Sequence, residues 1–407
     1  MDLSATAPTQ APVSTAPFDD ARGLSIGVSG LYLSLYIHYG FIAFLPLWLS
    51  ATGATPGEIG VLMAIPLVLR LLTVAPFSAW AGRRGRVRSA VAFTALASAV
   101  VILTLLGQPA HAGRIAIFVF FSIVWDQIPV LTDAYAVMAV RSRSLDFGRV
   151  RVWGSIAVVI SNAAAGWAIG LTGIKALPAM IAALLMLPVV VALLLPKDRM
   201  LALAEETAGG KWRDVLKDRQ LMLAMAAVSL IMGSHGVLTS FGAIQWAARG
   251  ISTGTIGLLQ ALAVSAEILS FWFGTKLLGR RDPRLMIFIS AIAAMGRWAI
   301  MASNPGIPVL IIGQLLNGAT ATGAILGIML VIAARVPSQL SAAAQGLNAV
   351  LLGVVLAVAT AGSGLLWSYG LSTAYLAMMA LAGLGALCAW PRKPSDQSTP
   401  ISATGVA

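Results

Sequence analysis

Twelve apolar runs, most of them some 20 residues or longer, leave this chain few ways to fold. About 20 apolar residues carry an α-helix across a hydrocarbon core roughly 30 Å thick. The runs lie near 24–50, 57–80, 89–107, 115–140, 152–171 and 176–195, then 220–245, 255–276, 285–303, 308–333, 342–367 and 373–390. Turn and charge signals separate them, such as Gly53-Ala54-Thr55-Pro56-Gly57 and Arg281-Asp282-Pro283. No alternating barrel strands occur, and inside lipid every backbone polar group must be satisfied within the protein, so the runs are read as helices. The expected fold is an all-α polytopic membrane protein with 12 transmembrane helices. Only 10% of the residues are charged, against about 25% in soluble domains, which excludes a water-soluble globule. The single cysteine, Cys388, excludes an internal disulfide and a thiolate metal cluster.

The basic residues set the expected orientation. With the N-terminus in the cytoplasm, one set of loops and flanks collects 22 Lys and Arg, and the other holds only Arg114, Lys175 and Arg249. The richer set includes Arg83, Arg84, Arg86 and Arg88, then Arg141, Arg143, Arg149 and Arg151. That asymmetry predicts both termini in the cytoplasm. It also explains the net charge of +12 as a topology signal, so no nucleic-acid partner is expected. The polar, Pro-rich start is read as a disordered tail over 1–23, not a cleaved leader. The stretch 391–407 is read as a second tail.

The one long polar loop, 196–219, divides the chain into six-helix bundles at 24–195 and 220–390. An offset of 197 aligns the halves: between 53–72 and 250–269, seven of twenty positions are identical. The same offset sets His38 on His235 and Arg70 on Glu267. Repeated halves that face each other are how many secondary transporters enclose a site near the midplane.

Apart from Glu58 and Lys276 at run ends, five charged residues fall inside the runs: Arg70, Asp126, Asp133, Glu267 and Arg297. Each costs about 2.5–3.5 kcal/mol at a helix centre, so each asks for a reason. Two cations against three acids leave one carboxylate without a cationic partner. Low dielectric disfavours the charged form of such a group, making it a candidate proton carrier. Glu267, Asp133 and Asp126 are the candidates for proton coupling. The seven-residue spacing of the two aspartates sets them on one helix face. Arg297, Arg70, His38 and His235 are candidates for substrate contact or charge pairing. The bland alternatives are interhelical ion pairs for the arginines, loop arginines as partners for Asp133, and interhelical hydrogen bonds for the histidines. Tyr32, Tyr36 and Tyr39 can line an aromatic-friendly cavity, while Trp48 reads as an interfacial anchor. No metal-binding or phosphate-cradling motif is present, so no cofactor is expected and transport would be driven by a gradient.

Several stretches carry a resemblance: Phe44-Leu-Pro-Leu-Trp-Leu49, Glu58-Ile-Gly-Val-Leu-Met-Ala-Ile-Pro66, Pro129-Val-Leu-Thr-Asp-Ala134, Asp146-Phe-Gly-Arg-Val-Arg-Val-Trp-Gly-Ser155, Arg297-Trp298 and Gln345-Gly-Leu-Asn348. Together with twelve spans in two halves, they resemble the phenylpropionate-transporter-like branch of the major facilitator superfamily, related to lactose permease and nucleoside-proton symporters. The resemblance implies a proton-coupled importer of a small organic solute working by alternating access, monomeric and embedded in a bacterial inner membrane. It implies coupling roles for Glu267, Arg297 and Asp133. It also implies gating roles for the loops that hold Arg83, Arg86, Asp146, Arg149 and Arg151. The chain departs from the superfamily pattern at Gly82, where a gating Asp usually stands, and at Phe147, where the branch usually has Tyr. Span ten offers Gln314 and Asn317 where related permeases often carry His or Glu, so these two join the candidate substrate contacts. A monocarboxylic aromatic acid fits the two arginines and the family. The rival readings are a proton-driven exporter of apolar or cationic compounds, a membrane enzyme acting on a lipid-linked substrate through Asp126 and Asp133, and a gradient-independent receptor or scaffold.

Overall fold

The computed structural model describes residues 20–197, 215–278 and 282–390. Arg199, Lys211, Arg213, Arg280, Arg281, Arg392 and Lys393 lie outside the described residues, as do most of the expected N-terminal tail and the whole of the C-terminal one. Twelve helices are long and apolar enough to cross a membrane. In chain order they are α1 (Ala21–Ala51), α2 (Pro56–Arg83), α3 (Val87–Gly107), α4 (His111–Arg143), α5 (Phe147–Thr172) and α6 (Ile174–Leu194). The second half comprises α7 (Arg219–Ala248), α8 (Thr253–Gly274), α9 (Pro283–Ala302), α10 (Ile307–Arg335), α11 (Leu340–Ser368) and α12 (Leu371–Cys388).

Short polar caps decide where several helices start. The Asp20, Asp146, Asp218 and Asp282 side chains each accept a backbone N–H from the first turn that follows. Because Asp146 caps α5, that helix begins five residues earlier than the apolar run suggests. Arg149 and Arg151 are therefore helical rather than loop residues. Thr55 and Glu58 close a capping box at the start of α2.

Twelve crossings bring both ends of the described chain to one side, called here the terminal side. The halves repeat one another in local detail. Gly53 and Gly250, 197 apart, both take positive φ, 86° and 78°, in the loops before α2 and α8. There glycine avoids the steric cost of a Cβ. The two half-bundles meet along two glycine seams at the far side. A Cβ built on Gly60 of α2 would lie 2.8 Å from the Ala361 carbonyl oxygen and 3.0 Å from the Gly364 Cα on α11. A Cβ on Gly257 of α8 would lie 2.3 Å from the Asn162 carbonyl oxygen and 3.1 Å from the Gly166 Cα on α5. Gly60 and Gly257 are again 197 apart, so one packing solution is used twice. In the terminal halves of the same helices, Leu72, Trp153, Phe273 and Val350 are exposed. The two halves are thus in backbone contact at the far side.

Candidate functional site

Two breaks in otherwise long helices build the centre of the molecule. Span α1 is interrupted at Ile37–His38, between helical segments Ala21–Tyr36 and Tyr39–Ile42, and α7 at Ser234–His235. A break frees backbone groups that lipid cannot satisfy, so other helices must supply partners. At the first break the Ser161 hydroxyl of α5 donates to the Ile37 carbonyl and accepts the Gly40 N–H at 2.8 Å. Gly40 is required there because a Cβ would fall 2.3 Å from the Asn162 backbone nitrogen. Each break positions one histidine. His38 is fully buried and accepts the Trp125 indole N–H at 2.8 Å. His235 sets Nε2 3.3 Å from the Thr320 hydroxyl and lies edge-on to Trp298, with ring centroids 5.0 Å apart. Both make interhelical hydrogen bonds, and His235 alone of the two lines the central cavity.

That cavity, about 610 Å³ in volume, lies between the halves just below the glycine seams. Its wall is mostly apolar. Phe118, Phe121 and Trp125 present a strip of one α4 face from the N-terminal half, with Tyr39 beside them; Met232 and Leu356 oppose them from the other half. The spacing 118, 121, 125 is one helical stripe that the sequence reading passed over among so many apolar residues.

Against this wall stands one polar cluster, from α8, α9 and α10. The Arg297 guanidinium is 1% exposed. It donates from Nη1 to Asn317 Oδ1 at 2.5 Å and from Nη2 to Gln314 Oε1 at 3.2 Å. Asn317 in turn donates from Nδ2 to Glu267 Oε2 at 3.1 Å and to the Ala263 carbonyl at 3.1 Å. Glu267 and Arg297 therefore communicate through one amide instead of touching. The guanidinium carbon also sits 5.1 Å from the Trp298 ring centroid. Its positive charge is met by two neutral oxygens, which leaves it able to receive a carboxylate through its bidentate fork. Arg297 Nε and Gln314 Nε2 are buried without a hydrogen-bond partner among the described residues.

The remaining candidates are placed elsewhere. Asp133 belongs to a second cluster on the terminal side, where its Oδ1 accepts the Tyr32 hydroxyl at 2.7 Å and lies 3.8 Å from Arg151 Nε. Arg151 also donates to the Tyr36 hydroxyl at 3.0 Å and stacks over the Tyr32 and Tyr36 rings. The alternative of an arginine partner for Asp133 is thus the arrangement observed. Asp126 sits at the junction of the two helical segments of α4, 7% exposed, with Oδ2 unpartnered among the described residues. Arg70 is exposed on α2. Arg83 and Arg86 are exposed at the end of α2, and the exposed Arg149 Nε is 3.4 Å from Asp146 Oδ2. Trp48 is a correction: at 2% exposure it packs inside the core rather than anchoring at an interface. Asn162, Trp246 and Gln260 line the cavity and had no sequence signal beyond being polar or aromatic within apolar runs.

Comparison with known proteins matches this architecture. Residues 26–377 match the model of the MFS_1 like family. The chain is 30% identical over 375 residues to a probable 3-phenylpropionic acid transporter of Escherichia coli (strain K12), covering 91% of this chain and 97% of that protein. It is 26% identical over 279 residues to the maltose permease of Geobacillus stearothermophilus, covering 66% of this chain and 69% of that one. Among solved structures, the nucleoside transporter NupG superposes with a TM-score of 0.78 at 15% identity, covering 90% and 97% of the two chains. A bacterial homologue of the human lysosomal transporter Spinster, inward-facing and occupied, superposes with a TM-score of 0.72 at 13% identity, covering 92% and 96%. These relatives are transporters, not enzymes. The twelve helices in two bundles, the family match and the full-length relatives agree: this multi-pass membrane chain belongs to the MFS_1-like family of major facilitator superfamily transporters.

Proposed function

We propose that the protein is a proton-coupled importer of a small aromatic monocarboxylic acid, acting by alternating access. The observation that carries this reading is the Glu267–Asn317–Arg297 chain at the edge of an aromatic-walled cavity. Charge arithmetic supplies the coupling. With Glu267 ionised, the cluster is neutral overall and an anion gains little by entering. With Glu267 protonated, the Arg297 charge is uncompensated and a carboxylate restores neutrality. Proton and anion each raise the affinity for the other, the reciprocity required of linked binding. The ring of the substrate would lie against Phe118, Phe121 and Trp125. The 30% identical relative, described as a probable 3-phenylpropionic acid transporter, supports the substrate class.

The same reading sets the terminal side in the cytoplasm, on the strength of the Lys and Arg asymmetry. The glycine seams at the far side then face outward, the protein sits in a bacterial inner membrane, and a single chain suffices for transport. Asp126 of α4, in the same half as Arg70 of α2, is a second buried acid. Uptake of radiolabelled 3-phenylpropionate into proteoliposomes with an inside-alkaline gradient tests the proposal. Protein-free vesicles must be subtracted, because weak acids accumulate passively in an alkaline lumen. Gradient-dependent uptake that Glu267→Gln abolishes is the expected result. Uptake unchanged in Glu267→Gln would move the coupling to Asp126 or Asp133, and no uptake above the vesicle blank would overturn the importer reading for this acid class.

A further inference from the structure

Asp126 is a buried acid that nothing around it uses. It fills the one-residue gap between the two helical segments of α4, directly after Trp125 of the cavity wall. Aspartate in such a place commonly caps the segment that follows, but this side chain accepts no N–H from Gln127–Arg143. The residue is 7% exposed, and Oδ2 is sealed without a hydrogen-bond partner among the described residues. Oδ1 has no partner among them either, but it is not sealed. The titratable groups that face Asp126 from other helices are Arg70 of α2 and Tyr39 of α1, and neither bonds to it. Asp133, two turns along α4, is taken up by Tyr32 and Arg151. The neighbouring amide is committed as well, since Gln127 Nε2 donates to Thr73 Oγ1 at 3.1 Å and to the Ile123 carbonyl at 2.9 Å. A carboxylate this deep, with neither a cation nor a donor in contact, is so costly that it takes up a proton instead.

We propose that Asp126 is a second proton site of the transport cycle, so that two protons accompany each monocarboxylate and one net positive charge crosses the membrane. This deepens the proposed function and rests on it. In the state described here the site is loaded, and Oδ1, the open oxygen, is where the proton leaves for water. The ionised carboxylate is then left facing the exposed Arg70, the cation that stabilises it. A second proton also changes what the carrier can achieve. One proton per carboxylate is the stoichiometry of undissociated acid diffusing through lipid. A carrier limited to Glu267 therefore brings the acid to the level that leakage reaches unaided. A second proton adds the membrane potential to the driving force, because net charge now moves through it.

The test is a reversal potential. Proteoliposomes hold radiolabelled 3-phenylpropionate at equal specific activity on both sides, with the inside concentration tenfold higher and the pH equal. Valinomycin and potassium gradients set the membrane potential, and the flux in protein-free vesicles is subtracted. With two protons, efflux should turn to uptake at an inside-negative potential of about 59 mV, the equivalent of tenfold for one charge. With one proton, no potential reverses the flux. Asp126→Glu, which keeps a carboxyl, should reverse near the same potential, whereas Asp126→Asn should show efflux throughout. The reversal point is independent of how much protein folds, so a poorly folding variant still reports. Flux through the unsubstituted protein that no potential reverses overturns the second proton and leaves the importer reading standing. A reversal that survives in Asp126→Asn overturns Asp126 as its site. The absence of any protein-dependent flux of the acid overturns this assignment together with the importer reading.

Discussion

Gly257→Ala should tilt the protein away from the far-side-closed state. The added methyl would fall 2.3 Å from the Asn162 carbonyl oxygen and 3.1 Å from the Gly166 Cα, where ordinary contact begins near 3.4 Å. Both obstacles are backbone atoms, so no rotamer change relieves the overlap, and α5 and α8 must part by about 1 Å along this seam. Overpacking of this kind costs about 1–3 kcal/mol. At 1.4 kcal/mol per tenfold, the balance between closed and open far side moves by about five- to 150-fold. The seam does not exist once the halves separate there, so the penalty falls on one state alone. Double electron–electron resonance between labels at Ala51 and Ala248, exposed at the far-side ends of α1 and α7, reads the shift in a Cys388→Ser background. Longer distances should gain population. Gly362→Ala, where a Cβ meets nothing within 4 Å, is the matched control on the partner seam's helix. If Gly257→Ala and Gly362→Ala give the same distance distribution, the seam does not hold the far side shut.

Ser161→Ala removes the hydroxyl that serves both the Ile37 carbonyl and the Gly40 N–H at the α1 break. With two buried backbone groups left unpaired, it should destabilise by about 1–3 kcal/mol or more, visible as a lowered apparent Tm in detergent; an unchanged Tm would mean that the break is satisfied in another way. Asp133→Asn keeps an oxygen for the Tyr32 hydroxyl and removes the charge near Arg151. With those side chains 46% and 35% exposed, the pair should contribute less than about 1 kcal/mol, so a large fall in Tm would show that it is far less solvated than its exposure indicates.

Much of this molecule is already visible along the chain, because lipid imposes a local rule. A run of about 20 apolar residues has one main fate, so twelve spans follow from hydropathy. The repeat is legible for a similar reason. His38 with His235, Gly53 with Gly250 and Gly60 with Gly257 recur at one offset, and each pair does the same local work in the fold. Glu267 and Arg297 stand out in sequence because a charge in an apolar run is expensive wherever it faces.

What tertiary structure alone decided is which of these residues meet. Each residue turns a helix by about 100°, so a small uncertainty in helix rotation moves a side chain from a cavity to a neighbouring helix. Asp126 and Asp133 share a face by spacing, yet one is buried with its Oδ2 unpartnered among the described residues while the other is drawn to Arg151 and Tyr32. Glu267 and Arg297 stand in the sequence as two separate charged candidates, and only packing links them through Asn317. The cavity lining follows the same logic. Gln260, Trp246 and Thr360 lie on three helices distant in sequence, and nothing local records that packing brings them to one cavity.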